Sequence, residues 1–310
     1  MNKNAKIFVA GHLGMVGSAI VRSLLAKGYS NILTAPRKYL DLTNQAAVYS
    51  FLRSESPDYI FIAAGKVGGI HANNSLRADF IFQNLSIACN LIQGAHLADV
   101  QNLMFLGSSC IYPRNCIQPI KESYLLSGSL EPTNEMYAVA KIAGIKLCEA
   151  FNQQFGRNYI SVMPTNLYGL NDNYDLTSSH VLPALIHKAH KAKITGDTTY
   201  TVWGTGMPRR EFLFADDLAD ACSFLMDCEY TGPLLNVGTG SDISIRELAE
   251  TVMNVVGFHG ELIFDSSKPD GTPQKLLDSS ALNKLGWKAK TNFIDGIAAC
   301  YRDFLERYSS

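Results

Sequence analysis

The chain has no excess of either charge: 27 Lys and Arg face 28 Asp and Glu, for a formal net charge of −1. Wrapping a nucleic-acid backbone takes a strong basic surplus, so bulk phosphate-backbone binding is excluded. No apolar run is long enough to span a bilayer. The first six residues lead directly into a strand pattern, without the apolar region and cleavage site of a secretory leader. The seven cysteines (Cys89, Cys110, Cys116, Cys148, Cys222, Cys228 and Cys300) are odd in number, and no two stand at the two-residue spacing of metal or redox motifs. A reducing, cytoplasmic setting is expected, with no structural disulfide and no metal. Repeats and low-complexity segments are absent as well.

What is present is a globular composition. The 310 residues are 47% hydrophobic and 18% charged, enough for a full core in one large domain or two fused ones. Apolar strand patterns at 6–10, 32–35, 59–63, 102–106 and 159–164 alternate with helix-period segments at 15–27, 44–54, 78–97 and 136–155. That alternation implies βαβ units and a parallel sheet, with ligands at the carboxyl ends of the strands. After about residue 164 the rhythm loosens. Helices are expected at 181–193, 216–227, 244–256 and 293–307, with short strands near 201–203 and 235–237. The fold class expected is α/β: a Rossmann-type, doubly wound parallel sheet over 1–164 and a smaller α/β substrate domain over 165–310, with segments near 212–240 returning to the first. No linker separates the two parts.

Two motifs carry chemistry. Gly11-His12-Leu13-Gly14-Met15-Val16-Gly17 joins the first strand to the first helix, a spaced form of the dinucleotide fingerprint. Its glycines allow a tight turn, approach of backbone to a pyrophosphate, and close helix–strand packing, while the helix N-terminus offers N–H groups to the phosphates. The second strand ends in Arg37-Lys38, with no acid before Asp41. A carboxylate there would bind a ribose 2′-hydroxyl, whereas a guanidinium chelates a 2′-phosphate, so NADP is expected with Arg37 as its clamp. Asp41 and Leu42 should lie near the adenine, and Ala63 and Ala64 where the third strand passes the cofactor.

The other motif starts with Leu106-Gly107-Ser108-Ser109-Cys110 after an apolar strand and continues with Tyr137 and Lys141 in the following helix. Tyr and Lys four apart share a helix face. With 14 tyrosines, chance supplies about one such pair, so the weight comes from its position after the glycine–serine turn. There a Tyr, with Lys and Ser108, can move a proton at a carbonyl oxygen while a hydride moves at its carbon.

These motifs lie within longer stretches at 10–18, 66–70 (Lys66-Val67-Gly68-Gly69-Ile70), 105–113, 131–134, 137–148, 164–169, 180–183, 202–212 and 268–271, which together span nearly the whole chain. Through them the chain resembles the extended short-chain dehydrogenase/reductases of the nucleotide-sugar type, and within these the GDP-4-keto-6-deoxy-D-mannose 3,5-epimerase–4-reductases. The resemblance implies epimerisation at carbons 3 and 5, then NADPH-dependent reduction of the carbon-4 ketone to give a GDP-L-fucose product. It makes Cys110 the base and His180 the acid of epimerisation, and Tyr137 the donor for reduction. It adds Leu106, Gly107, Ser109, Pro164, Thr165, Asn166, Leu167 and His180 to the cofactor's surroundings, and gives Lys188, Trp203, Arg210 and Asp270 to the GDP-sugar. Members pair as homodimers, here through the helices at 78–97 and 136–155. One departure stands out: Leu13 occupies a position where some members carry a basic residue for the 2′-phosphate, which leaves Arg37 as the main determinant. The alternatives are another nucleotide-sugar 4-epimerase, dehydratase or 4-reductase of the same superfamily, or a silent NADP-binding regulator. A dehydratase normally places an acid beside the catalytic Ser or Thr, where this chain has Ser109 and Cys110.

Overall fold

The structure is a computed structural model describing residues 1–228, 230–232, 234–268 and 270–308. Pro269, inside the 268–271 stretch, lies outside the described residues, as do Glu229, Pro233, Ser309 and Ser310 of the expected second domain. The first half alternates as the hydrophobic pattern requires: β1 (Ile7–Ala10), α1 (Met15–Ala26), β2 (Ile32–Leu33), α2 (Gln45–Glu55), β3 (Tyr59–Ile62), α3 (Ile70–Ser75), α4 (Arg77–Leu97), β4 (Asn102–Leu106), α5 (Glu135–Phe155) and β5 (Asn158–Pro164). Then follow β6 (Asn166–Tyr168), α6 (Val181–Thr195), β7 (Thr199–Trp203), β8 (Arg209–Arg210), β9 (Phe212–Phe214), α7 (Ala215–Asp227), β10 (Leu235–Val237), β11 (Ile243–Ser244), α8 (Ile245–Val256), β12 (Glu261–Asp265), β13 (Gln274–Lys275), α9 (Ser280–Lys284) and α10 (Phe293–Tyr308).

Six parallel strands form the central sheet in the order β10-β5-β4-β3-β1-β2. Every residue of β1 is buried, because helices cover both faces of a doubly wound sheet and its strands must be apolar throughout. On one face α2, α4 and α5 enclose Ile92, Leu103, Phe105 and Ile145; on the other α1 and α7 enclose Ile20, Leu24, Met104, Leu218 and Leu225. β2 and β3 flank β1 on opposite sides, so the carboxyl end of β1 opens at the point where the winding reverses, where such sheets bind ligands.

A third core gathers α6, α8 and α10 around Leu185, Tyr200, Leu248, Val252 and Phe304. α8 starts on a reciprocal cap, with Ser244 and Glu247 each satisfying the other's backbone N–H. The chain leaves this part to rejoin the large sheet twice. α7 and β10 do so first, and Leu277, Leu282 and Trp287 then pack into the two large-sheet cores. Two small sheets, β11-β8-β13 and β6-β9, lie at the seam. No described helix is long and apolar enough to cross a membrane, and all seven cysteines are free.

α5 is the helix that matters most for the site, and Gly144 sets how closely it approaches β4. A Cβ on Gly144 would stand 2.3 Å from the buried Phe105 ring. Alanine there gains about 1 kcal/mol of helix propensity, against about 1–3 kcal/mol for overpacking a dense core. We therefore expect Gly144→Ala to destabilise the fold by up to about 2 kcal/mol in urea unfolding. A stabilised variant would show that the helix can retreat from the sheet without penalty.

Candidate active site

The turn after β1 carries Gly11 to Gly17. A Cβ on Gly17 would sit 2.1 Å from the Gly11 carbonyl oxygen, so only glycine lets α1 start this close to the strand. Gly14 caps α1 without any side-chain bond, which leaves first-turn N–H groups for an anion. His12 is shifted below the usual imidazole value by burial, and Leu13 is 71% exposed at the rim. Arg37 stands in solvent, 3.8 Å from Asp41. Asp41 is already engaged by the Thr43 N–H and hydroxyl at 3.0 and 2.8 Å, and these bonds hold its carboxyl below the usual range. Arg37 is thus weakly held and fit to take a 2′-phosphate. Asn90 donates to the Leu42 carbonyl, fixing that loop against α4. Ala63 donates its N–H to Ala10, and Gly11 fits against Ala63 and Ala64 so closely that a Cβ would meet Ala64 N at 2.7 Å. These residues suit a dinucleotide.

Lys141 and Tyr137 lie one turn apart on α5. The Lys141 ammonium is 6% exposed, donates to the Leu106 carbonyl at 2.8 Å, and lies 5.7 Å from the centre of the Tyr137 ring. Burial lowers its pKa to about 8. Ser108 ends the β4 turn, accepts the Cys110 N–H at 3.3 Å and hydrogen-bonds Tyr137. An amine so near a phenol would be expected to favour the phenolate. The protein alone does the reverse: burial first, and then Cys110, push Tyr137 up, with Ser108 opposing in part. Tyr137 therefore holds its proton.

Cys110 is the middle residue of the short helical turn Ser109–Ile111, with its sulfur accepting from Asn134 Nδ2 at 3.4 Å and from Lys275 Nζ at 3.7 Å. The Asn134 Oδ1 is buried without a partner. Cys110, Gln118, Glu131, Asn134 and Lys275 line one small cleft, and a hollow of about 490 Å³ under loop 113–132 adjoins it through Pro113 and Arg114. His180 caps α6. Crowding by protein lowers its pKa, and Lys275 lowers it further, so one cation faces both Cys110 and His180. Lys275 was missed in the sequence because β13 is two residues long and its partner β8 lies some 65 positions earlier; the one cue was its place just after 268–271.

On the sugar-nucleotide side, Lys188 Nζ lies 4.8 Å over the half-exposed Trp203 ring, joined at 5.6 Å by Lys268. Asp270 accepts from Thr205 N–H and hydroxyl at 2.7 and 2.8 Å. Arg210 is lowered by burial, with Asp270 opposing. Pro164 closes β5, while Thr165 and Asn166 reach the Glu211 carbonyl at 3.2 and 2.8 Å and Leu167 packs under α7's core. Gly107 donates to Val162 O, and Ser109 is buried behind the turn. Among the described residues no group of three or more His, Cys, Asp or Glu is placed to hold a metal.

The NAD dependent epimerase/dehydratase family model matches residues 7–238. GDP-L-fucose synthase 1 of Arabidopsis thaliana is 56% identical over 98% of this chain and 94% of its own length. GDP-L-fucose synthase of Escherichia coli is 52% identical over 97% of both. The solved structure of a GDP-L-fucose synthetase from Naegleria fowleri bound to NADP is 27% identical and superposes with a TM-score of 0.91 over 100% of this chain and 97% of that one.

The buried Lys141 offers a test with a defined sign. Its folded pKa near 8 lies below the ordinary 10.5, so holding the charged form costs stability below about pH 8. That cost fades as pH rises from 8 towards 10.5. The gap corresponds to about 3 kcal/mol, partly offset in a variant by loss of the bond to Leu106. In the enzyme without ligands, Lys141→Met should be more stable than the wild type by about 1–3 kcal/mol at pH 7. The gain should shrink by pH 10; a pH-independent difference would show that Lys141 is not strained by its burial.

Proposed function

The chain belongs to the NAD dependent epimerase/dehydratase family, and from that footing we infer that it converts GDP-4-keto-6-deoxy-D-mannose into GDP-L-fucose using NADPH. The observation that carries this is identity of 52–56% with GDP-L-fucose synthases along nearly the whole chain, in a molecule where Ser108 bonds both Cys110 and Tyr137 and Lys141 lies 5.7 Å from the Tyr137 ring centre. When bound, NADPH supplies a hydride to carbon 4.

The residue roles are our proposal. Carbons 3 and 5 both flank the carbon-4 ketone, so losing either proton puts charge on one oxygen. Tyr137 and Ser108 hold that oxygen by hydrogen bonds. Cys110, as thiolate, takes the carbon-bound proton, and His180 returns one from the opposite face. His180 with a lowered pKa is neutral when the cleft is empty, so the acid role needs the charge of the diphosphate to draw it up. Arg210 and Lys188 receive that diphosphate, and Trp203 presents an apolar face to the nucleotide. After both inversions Tyr137 donates its proton to the carbon-4 oxygen. Glycines 11, 14 and 17 and Arg37 hold the dinucleotide, with Pro164, Thr165, Asn166 and Leu167 near its reactive end. The free cysteines support a cytoplasmic setting.

The test is turnover in deuterated water. NADPH should be oxidised with label entering carbons 3 and 5. Cys110→Ala should cut labelling by about 100-fold or more with NADPH affinity unchanged. NADPH loss without label would reduce the activity to a plain 4-reduction.

We further propose a homodimer through α4 and α5, which lie side by side. Phe82 is 68% exposed, and Cys89 on α4 and Val139 on α5 are also open. An outward stripe of this kind calls for a partner. Sedimentation should give a dimer, and Phe82→Glu a monomer; a monomeric wild type removes this proposal.

A further inference from the structure

The mechanism makes no use of Glu211, yet its carboxylate is fully buried at 0% exposure. Burying a carboxylate is expensive unless donors replace its water. Here they do. Oε1 accepts from the Gly240 N–H at 2.7 Å and the Thr239 hydroxyl at 3.4 Å, and Oε2 from the Leu277 N–H at 3.0 Å. Burial pushes its pKa up, and these bonds oppose the shift. The backbone of the same residue is engaged too. Its N–H donates to the Lys275 carbonyl at 3.2 Å, and its carbonyl accepts from Thr165 and Asn166.

Except for the Thr239–Gly240 turn, the segments held this way carry a working residue next door. Arg210 precedes Glu211 in the chain and pairs with Lys275 in the β8–β13 register. Lys275 precedes Leu277 by two residues and reaches Cys110. Thr165 and Asn166 follow β5, which lies between β4 and β10 in the central sheet. Resting on the function proposed above, we infer that Glu211 is a positioning residue: its buried carboxylate keeps the diphosphate arginine and the Lys275–Cys110 contact in register across the seam of the molecule. It touches neither substrate nor cofactor and acts through the strands it ties.

Glutamine has nearly the same shape but presents one acceptor and an amide donor. In Glu211→Gln either the Gly240 or the Leu277 N–H faces another donor, and that strand end must shift. At saturating NADPH the variant should raise the KM for the GDP-keto-sugar about tenfold. It should also slow deuterium entry at carbons 3 and 5 about tenfold at saturating sugar, with NADPH affinity within threefold of wild type. Glu211→Asp, which keeps the charge, should recover part of both. A merely structural role lowers exchange and reduction in proportion to the folded fraction and leaves KM unchanged; that result overturns the inference. Should Glu211→Gln fail to fold, Glu211→Asp serves in its place and should raise KM about two- to threefold, since its shorter side chain keeps the charge but cannot reach both the Gly240 and Leu277 N–H groups; an unchanged KM and exchange rate there also overturns it. A wild type that neither oxidises NADPH nor takes up label disproves the function instead, which keeps the two failures apart.

Discussion

The amine of Lys141 is the constraint on which the site depends. It is nearly sealed from water and anchored to the last carbonyl of β4, so α5 cannot slide or turn without stranding a buried donor. That anchor sets Tyr137 one turn earlier, facing the serine turn that β4 itself ends. It also explains the small residues around it. Gly144 lets the helix close onto Phe105, whose ring lies 5.0 Å from the same amine. A Cβ on Gly65 would meet Asn84 Oδ1 at 2.8 Å and the lysine at 3.7 Å. Asn84 in turn fixes the 66–70 loop by bonding both N–H and carbonyl of Lys66. A destabilised charge, a close helix and a pinned loop are one arrangement.

Net charge near zero conceals a polarised cleft. Lys188, Arg210, Lys268 and Lys275 gather where the GDP-sugar is proposed to bind, with Asp270 near Arg210 and Glu131 in the cleft of Lys275 as the acids beside them. Such local concentration attracts a dianionic substrate without making the whole surface basic. It also links binding to chemistry. The surrounding protein and Lys275 lower the pKa of His180, and in the roles proposed here a diphosphate among these cations acts against that shift.

Much of this was legible in the sequence. Strands of the central sheet and the long helices fall within two residues of their expected limits, since each is decided by its own apolar period. Ser108, Tyr137 and Lys141 were legible because one strand end and one helix turn bring them together. The pieces that escaped are short: α3, β6, β9 and α9, then β8, β11 and β13 at two residues each, and β12, whose pairing partner β7 was expected but lies about sixty positions earlier. Two residues show no period, and their conformation is fixed by partners that only tertiary structure supplies. Lys275 sits on such a piece and Glu211 lies between β8 and β9, so their parts in the site were hidden too. The rise in the pKa of Tyr137 was equally out of reach, since its largest cause is burial, with Cys110 second, while the lysine four residues on suggests the opposite.

That rise bears on how a single oxygen site can serve two reactions in a fixed order. Inversion at carbons 3 and 5 needs the carbon-4 ketone intact, because only a neighbouring carbonyl makes those protons acidic. An early proton transfer to that oxygen does no harm, but an early reduction ends epimerisation for good. In the roles proposed here, Tyr137 meets first an enolate oxygen and then an alkoxide, a far stronger base. A tyrosine with an elevated pKa donates a hydrogen bond to the first and surrenders its proton only to the second. Within these proposed roles, the burial that disfavours the Tyr137 phenolate in the ligand-free protein favours full proton transfer at reduction over transfer at the enolate, so that two chemistries share one oxygen without a second acid.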